Sequence, residues 1–156
     1  MNTTKPKFVY VTLINTTPEK LWTALTDPAF TRQYWCGIKV VSDWKAGSKW
    51  TFHLDGELTD EGTVLKSEPP RLLSYSFHHL GEESKHERPS RVTYEIEPIG
   101  EKPGLDGTGV KLTVTHDEFP QESTVLPKVS NGWPMILSGL KTLMETGHSL
   151  GISFED

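Results

Sequence analysis

Residues 131–147 read Asn131-Gly132-Trp133-Pro134-Met135-Ile136-Leu137-Ser138-Gly139-Leu140-Lys141-Thr142-Leu143-Met144-Glu145-Thr146-Gly147. At about 100° per residue, Trp133, Ile136, Leu137, Leu140, Leu143 and Met144 fall within an arc of roughly 120°, while Ser138, Lys141, Thr142 and Glu145 take the opposite side. The spacing predicts one amphipathic helix. Pro134 is tolerable in its first turn, where the missing N–H would have no partner, and a helix reaching back before Asn131 is expected to kink there. Gly139 borders the apolar arc and costs about 1 kcal/mol relative to alanine inside a helix. It therefore marks a close approach by the sheet or a ligand, or is a tolerated defect.

Upstream of this helix the apolar period changes to 2. Val110, Leu112, Val114 and His116 share one face of a regular strand, as do Val92, Tyr94 and Ile96 in the strand from Arg91 to Glu97. Leu73, Tyr75, Phe77 and His79 do the same between Arg71 and His79, and Trp50, Phe52 and Leu54 between Lys49 and Leu54. Asp55-Gly56 is a strong hairpin turn, leading into a strand from Leu58 to Ser67 in which Gly62 signals a bulge or a close backbone approach. Ile38 to Ser42 forms a short strand, and Phe8 to Ile14 an opening one. Between them, Thr16 with Glu19 (a capping box) or Thr17 with Pro18 starts a helix carrying Leu21, Trp22 and Leu25. Asp27-Pro28 ends it and caps a second short helix with Phe30, Tyr34 and Trp35. Short turns between strands demand antiparallel pairing, so the fold class is α+β: a curved antiparallel sheet gripping a long C-terminal helix, with two short helices after the first strand. The charged segment from Leu80 to Pro89 is expected to be a solvated loop. Gly104 to Gly109 is a hairpin tip and not a phosphate loop, because a strand follows it where a helix N-terminus would be needed.

The chain of 156 residues fits one domain, 1–156, large enough to bury a core without staples. A net charge of -5 and scattered basic residues exclude a nucleic-acid binder of the usual basic-faced kind. No apolar run reaches the ~18 residues that span a membrane, so no membrane insertion is expected. A polar N-terminus and the single Cys36 fit a cytoplasmic, reducing setting.

The run Leu21-Trp22-Thr23-Ala24-Leu25-Thr26-Asp27-Pro28 followed by Tyr34-Trp35 resembles a known family, as do Arg91-Val92-Thr93-Tyr94-Glu95-Ile96-Glu97-Pro98, Leu112-Thr113-Val114-Thr115-His116, and Gly132-Trp133 entering the last helix. The chain is similar to START-like, helix-grip (SRPBCC) proteins, and more narrowly to bacterial homologues of the activator of Hsp90 ATPase. The resemblance covers nearly the whole chain. It implies a cavity between the long helix and the concave sheet, used by many relatives for apolar small molecules, and a chaperone as a second class of partner. Pro134 and the charged loop from Glu82 to Arg88 depart from the family pattern.

The candidate ligand-binding residues follow from those inner faces: Trp35, Trp50, Phe52, Tyr75, Phe77, His79, Tyr94, His116, Trp133, Ile136, Leu137 and Leu140. Burying each large ring contributes roughly 2–3 kcal/mol, so a solid core explains them as well as a lined pocket does. Tyr75 and Tyr94 carry hydroxyls that need partners when buried, which leans toward a partly polar cavity. His79 and His116 stand at strand ends on apolar faces. They are either polar groups at a cavity mouth, able to orient a ligand or serve as acid or base, or histidines satisfied by solvent. Adjacent His78 and His79 point to opposite faces and cannot share a metal, and no His or Cys spacing resembles a zinc site. No cofactor is expected. The acidic residues Asp55, Glu57, Asp60 and Glu61 read as a solvated edge around a turn, and Cys36 as a small core residue. Three functions stay open: a binder of hydrophobic or aromatic small molecules, a cyclase- or hydrolase-type enzyme in the same cavity, and a chaperone-associated protein.

Overall fold

The computed structural model describes residues 5–100 and 109–150. The elements run β1 (Phe8–Ile14), α1 (Pro18–Thr26), α2 (Pro28–Tyr34), β2 (Lys39–Ser42), β3 (Lys49–Leu54), β4 (Glu57–Glu68), β5 (Leu72–His79), β6 (Ser90–Pro98), β7 (Val110–Asp117) and α3 (Val125–Thr146). The strands form one curved, unclosed seven-stranded sheet in the order β1-β7-β6-β5-β4-β3-β2, with every pairing antiparallel. The α+β class and the helix-grip arrangement read from the sequence are therefore observed. No helix among the described residues is long and apolar enough to cross a membrane. The glycine-rich hairpin tip lies outside the described residues except for Gly109.

Local chemistry sets the boundaries. Thr17, not Thr16, caps α1: its hydroxyl accepts from the Lys20 N–H, and Pro18 occupies the first helical position. Asp27 closes α1 and caps α2 by accepting from the Ala29 N–H. Asp55 and Gly56 both have positive φ, 51° and 83°, as a two-residue hairpin turn of the primed type requires. Gly62 faces Trp50 across β3–β4, and a Cβ there would lie 1.9 Å from the Ser76 carbonyl oxygen, so the expected close approach is real.

The last helix differs from the reading in its start. It begins at Val125, before Asn131, and Pro127 falls in its first turn, where a missing N–H is harmless. Pro134 is thus interior and withholds the N–H that would bond the Ser130 carbonyl. Gly147, with φ 84°, ends the helix in the left-handed region, its N–H bonded to the Leu143 carbonyl. The close approach at Gly139 comes from α2: its nearest neighbours are backbone and Cβ atoms of Tyr34. The inner face of the sheet and this helix enclose the core, which includes Trp50, Tyr75, Val92, Tyr94, Leu112, Val114, Leu137 and Leu140. Cys36 is only half-buried and adopts φ 52°, at the turn that leaves α2.

Candidate functional site: an apolar cavity under the long helix

The N-terminal half of α3 stands off the sheet and leaves a cavity of about 350 Å³. Val125, Val129, Gly132, Trp133 and Ile136 of α3 form one wall. Phe52 and Leu54 of β3, Thr59 and Asp60 of β4, and Phe77 and His79 of β5 form the other. Trp35 and Ile38, on the link from α2 to β2, close one side, and Lys128 stands among the lining residues. The rings meet edge to face: Trp35 lies 4.9 Å from Phe52 and 5.4 Å from Trp133 between centroids, a preferred aromatic geometry. This size lies at the lower end of the range typical of small-molecule pockets, roughly 300–1,000 Å³.

Of the candidate residues, Trp35, Phe52, Phe77, His79, Trp133 and Ile136 are brought together around this cavity. Trp50, Tyr75, Tyr94, His116, Leu137 and Leu140 are not; they are buried core. Trp50 is fully buried, its indole N–H donating to the Ser76 carbonyl at 2.8 Å. The Tyr75 and Tyr94 hydroxyls satisfy each other at 3.0 Å, so they do not make the cavity polar, and burial pushes both phenols above their ordinary value. His116 is neither at a mouth nor in solvent. It is fully buried, hydrogen-bonded to Ser90 at 2.7 Å and to Trp133 at 3.1 Å, and burial lowers its pKa to about 3, against an opposing influence of Asp117.

The polar part of the wall departs from the sequence expectation. Asp60 is buried, not a solvated edge, and stands directly opposite His79 in the β4–β5 register. Its Oδ1 lies 2.7 Å from His79 Nδ1, and its Oδ2 accepts from the Thr59 hydroxyl at 2.7 Å. A continuous hairpin from the Asp55-Gly56 turn would oppose Thr59 to Phe52. A register shift between Phe52 and His53 puts Asp60 there instead and turns its carboxylate inward.

The charged loop after β5 is also more than solvated chain. Ser84 is fully buried and bonded to the Thr124 hydroxyl, and Glu87 accepts from the Ser123 hydroxyl and the Thr124 N–H. Ser123 in turn accepts from the Val125 and Leu126 N–H groups, capping α3. The loop therefore fixes the helical turn that roofs the cavity. No cluster of three His, Cys, Asp or Glu side chains among the described residues is placed to hold a metal ion.

The family profile described as Activator of Hsp90 ATPase homolog 1-like protein matches residues 15–145. No curated protein matches the chain. Among solved structures, a protein from Mesorhizobium loti is 26% identical, with 88% of this chain and 96% of that chain covered at a TM-score of 0.71. The Aha1 dimer from Colwellia psychrerythraea is 18% identical, covering 91% and 98% at a TM-score of 0.70. An HSP90 activator from Plasmodium falciparum is 23% identical, covering 81% and 86% at a TM-score of 0.66. These last two likenesses concern the fold alone. The profile match takes in β2 to β7, both short helices and nearly all of α3, and on it the chain belongs to the Activator of Hsp90 ATPase homolog 1-like protein family.

Proposed function

We propose that the chain binds a hydrophobic or aromatic small molecule between α3 and the sheet. The observation that carries this reading is the cavity of about 350 Å³ whose walls are Trp35, Phe52, Phe77, Val129, Trp133 and Ile136. An apolar ligand leaving water for these surfaces gains roughly 25 cal/mol per Å² buried. The core does not need the space: Leu137, Leu140, Tyr75 and Tyr94 pack solidly beside it. Titration with fatty acids and with flavonoid-like compounds, followed by fluorescence of Trp35 and Trp133, tests the reading. Saturable quenching supports it; no response to any of them sinks it.

Association with an Hsp90-type chaperone is a second reading, favoured by the family match. The outer face of the edge strand β1 offers an apolar stripe for it, with Val9 48%, Val11 51% and Leu13 50% exposed. Retention of purified chaperone on the immobilised chain checks it, and the absence of retention counts against it.

A further inference from the structure

Among the described residues, the Asp60–His79 pair is the one acid–base couple on the cavity wall, and its geometry fixes which nitrogen is available. The Asp60 side chain is only 7% exposed, and both its oxygens are engaged, by His79 Nδ1 and by the Thr59 hydroxyl. A carboxylate can only accept, so His79 carries its proton on Nδ1, and in the neutral ring Nε2 is an acceptor. Nε2 has no hydrogen-bond partner among the described residues. The residue beside it is Gly81, where an added Cβ would come within 2.7 Å of Nε2. A side chain at position 81 would cover the nitrogen; glycine leaves it open. The other charged side chain on the wall, Lys128, is paired with Glu83 at 3.0 Å.

Resting on the binding reading above, the geometry points to a ligand class: an aromatic or polycyclic body bearing a neutral, weakly acidic hydroxyl, a phenol or an enol. The body lies against Trp35, Phe52, Phe77 and Trp133, and the hydroxyl donates to His79 Nε2 at the rim beside Gly81. The same geometry selects against a carboxylate. A ligand anion would sit next to the buried Asp60 charge, and like charges brought together out of water repel strongly. A methyl ether of the phenol keeps the body and loses the donor, which leaves Nε2 facing a group that cannot satisfy it.

Isothermal titration of the full chain with 2-naphthol, 2-methoxynaphthalene and 2-naphthoate tests the inference. The expected order has 2-naphthol on the order of tenfold tighter than its ether, the loss of one hydrogen bond, with the naphthoate weakest. His79→Phe and Gly81→Ala are each expected to abolish the preference for 2-naphthol over its ether. Gly81→Ala keeps the imidazole in the chain and sets a methyl group against Nε2, so it answers the question even where His79→Phe fails to fold. Equal binding of 2-naphthol and its ether overturns the hydroxyl inference and leaves the apolar binding reading standing. A preference for 2-naphthol that survives Gly81→Ala overturns it as well. No binding by any of the three overturns both.

Discussion

The indole N–H of Trp133 donates to Nδ1 of His116 across 3.1 Å, joining the helix that roofs the cavity to the last strand of the sheet. An indole nitrogen can only donate, so Nδ1 is unprotonated and the ring carries its proton on Nε2. That proton points to the Ser90 hydroxyl at 2.7 Å, and Ser90 donates onward to the Phe77 carbonyl at 3.4 Å. Trp133 and Phe77 both line the cavity, so this chain holds two of its walls in register. A second proton on His116 would set two donors face to face and place a charge in the core.

Acid should therefore loosen the fold through this residue. Burial depresses the folded pKa of His116 to about 3, below the ordinary histidine value of 6.5. Between those values the unfolded state binds more protons, so stability is full above about pH 6.5 and falls as pH drops toward 3. The shift corresponds to roughly 5 kcal/mol. Denaturant midpoints measured from pH 7 to pH 4 should decline steadily in the wild type. In His116→Phe, which leaves the Trp133 N–H without its partner and costs ~1–3 kcal/mol at pH 7, the decline should be much shallower.

That bond also marks where reading the sequence succeeds and fails. Period-2 alternation put Val110, Leu112, Val114 and His116 on one face, and the structure agrees. Alternation says which face a residue takes, not how far along the strand the packing is solid. The cavity lies under the N-terminal turns of α3, whose start Pro127 and Pro134 obscure in the sequence, so alternation alone does not separate Tyr75, Tyr94 and Trp50 from the residues that border empty space. Asp60 escaped for a different reason. The β3–β4 register slips by one residue between Phe52 and His53, and a slip of one exchanges the two faces. Nothing in the residue types there announces the slip. Glu87 was equally hidden, because its partners Ser123 and Thr124 lie far along the chain.

Gly62 gives a prediction from sterics alone. A Cβ at this position would sit 1.9 Å from the Ser76 carbonyl oxygen and 2.5 Å from the Trp50 indole nitrogen. These two atoms bond each other at 2.8 Å, across the space that the missing side chain leaves. The obstructing atom at 1.9 Å is backbone, so it cannot swing aside. Gly62→Ala should destabilise by about 3 kcal/mol, from forced backbone shifts and a damaged buried hydrogen bond. Thermal and urea unfolding read the effect, and a change within a few tenths of a kcal/mol would refute the geometry.

The Tyr75–Tyr94 pair calls for a double-mutant cycle. Their hydroxyls meet at 3.0 Å in fully buried surroundings, and burial raises both phenols above their usual ionisation range. Either single change to phenylalanine strands the partner's hydroxyl, at about 1–3 kcal/mol. Replacing both removes the stranded group with the bond. Tyr75→Phe with Tyr94→Phe should therefore cost less than the two single losses added, by a coupling of about 1 kcal/mol. Strict additivity would show that the hydroxyls find other partners.

Glu87 links the charged loop to the roof of the cavity, and its removal should separate helix stability from pocket chemistry. It accepts from the Ser123 hydroxyl at 2.8 Å and the Thr124 N–H at 3.0 Å, and from the Thr124 hydroxyl as well. Thr124 makes no side-chain cap of its own, so Ser123, held by Glu87, serves the first N–H groups of α3. Burial tends to raise the Glu87 pKa, but the bonds from Thr124 and Ser123 together outweigh it and hold the carboxyl below its ordinary value. The stabilisation is thus full above the ordinary glutamate range and disappears as pH falls through the lowered folded value. Glu87→Ala should cost ~1–2 kcal/mol at neutral pH, typical of a lost helix cap, and the deficit should vanish at strongly acid pH. Because Val125, Lys128 and Val129 line the cavity, the loosened turn should also exchange its amide hydrogens faster from Val125 to Gly132. Residues 136–146, packed beyond Pro134, should keep their protection. Uniformly faster exchange along all of α3 would mean that the helix opens as one unit and that Pro134 does not divide it.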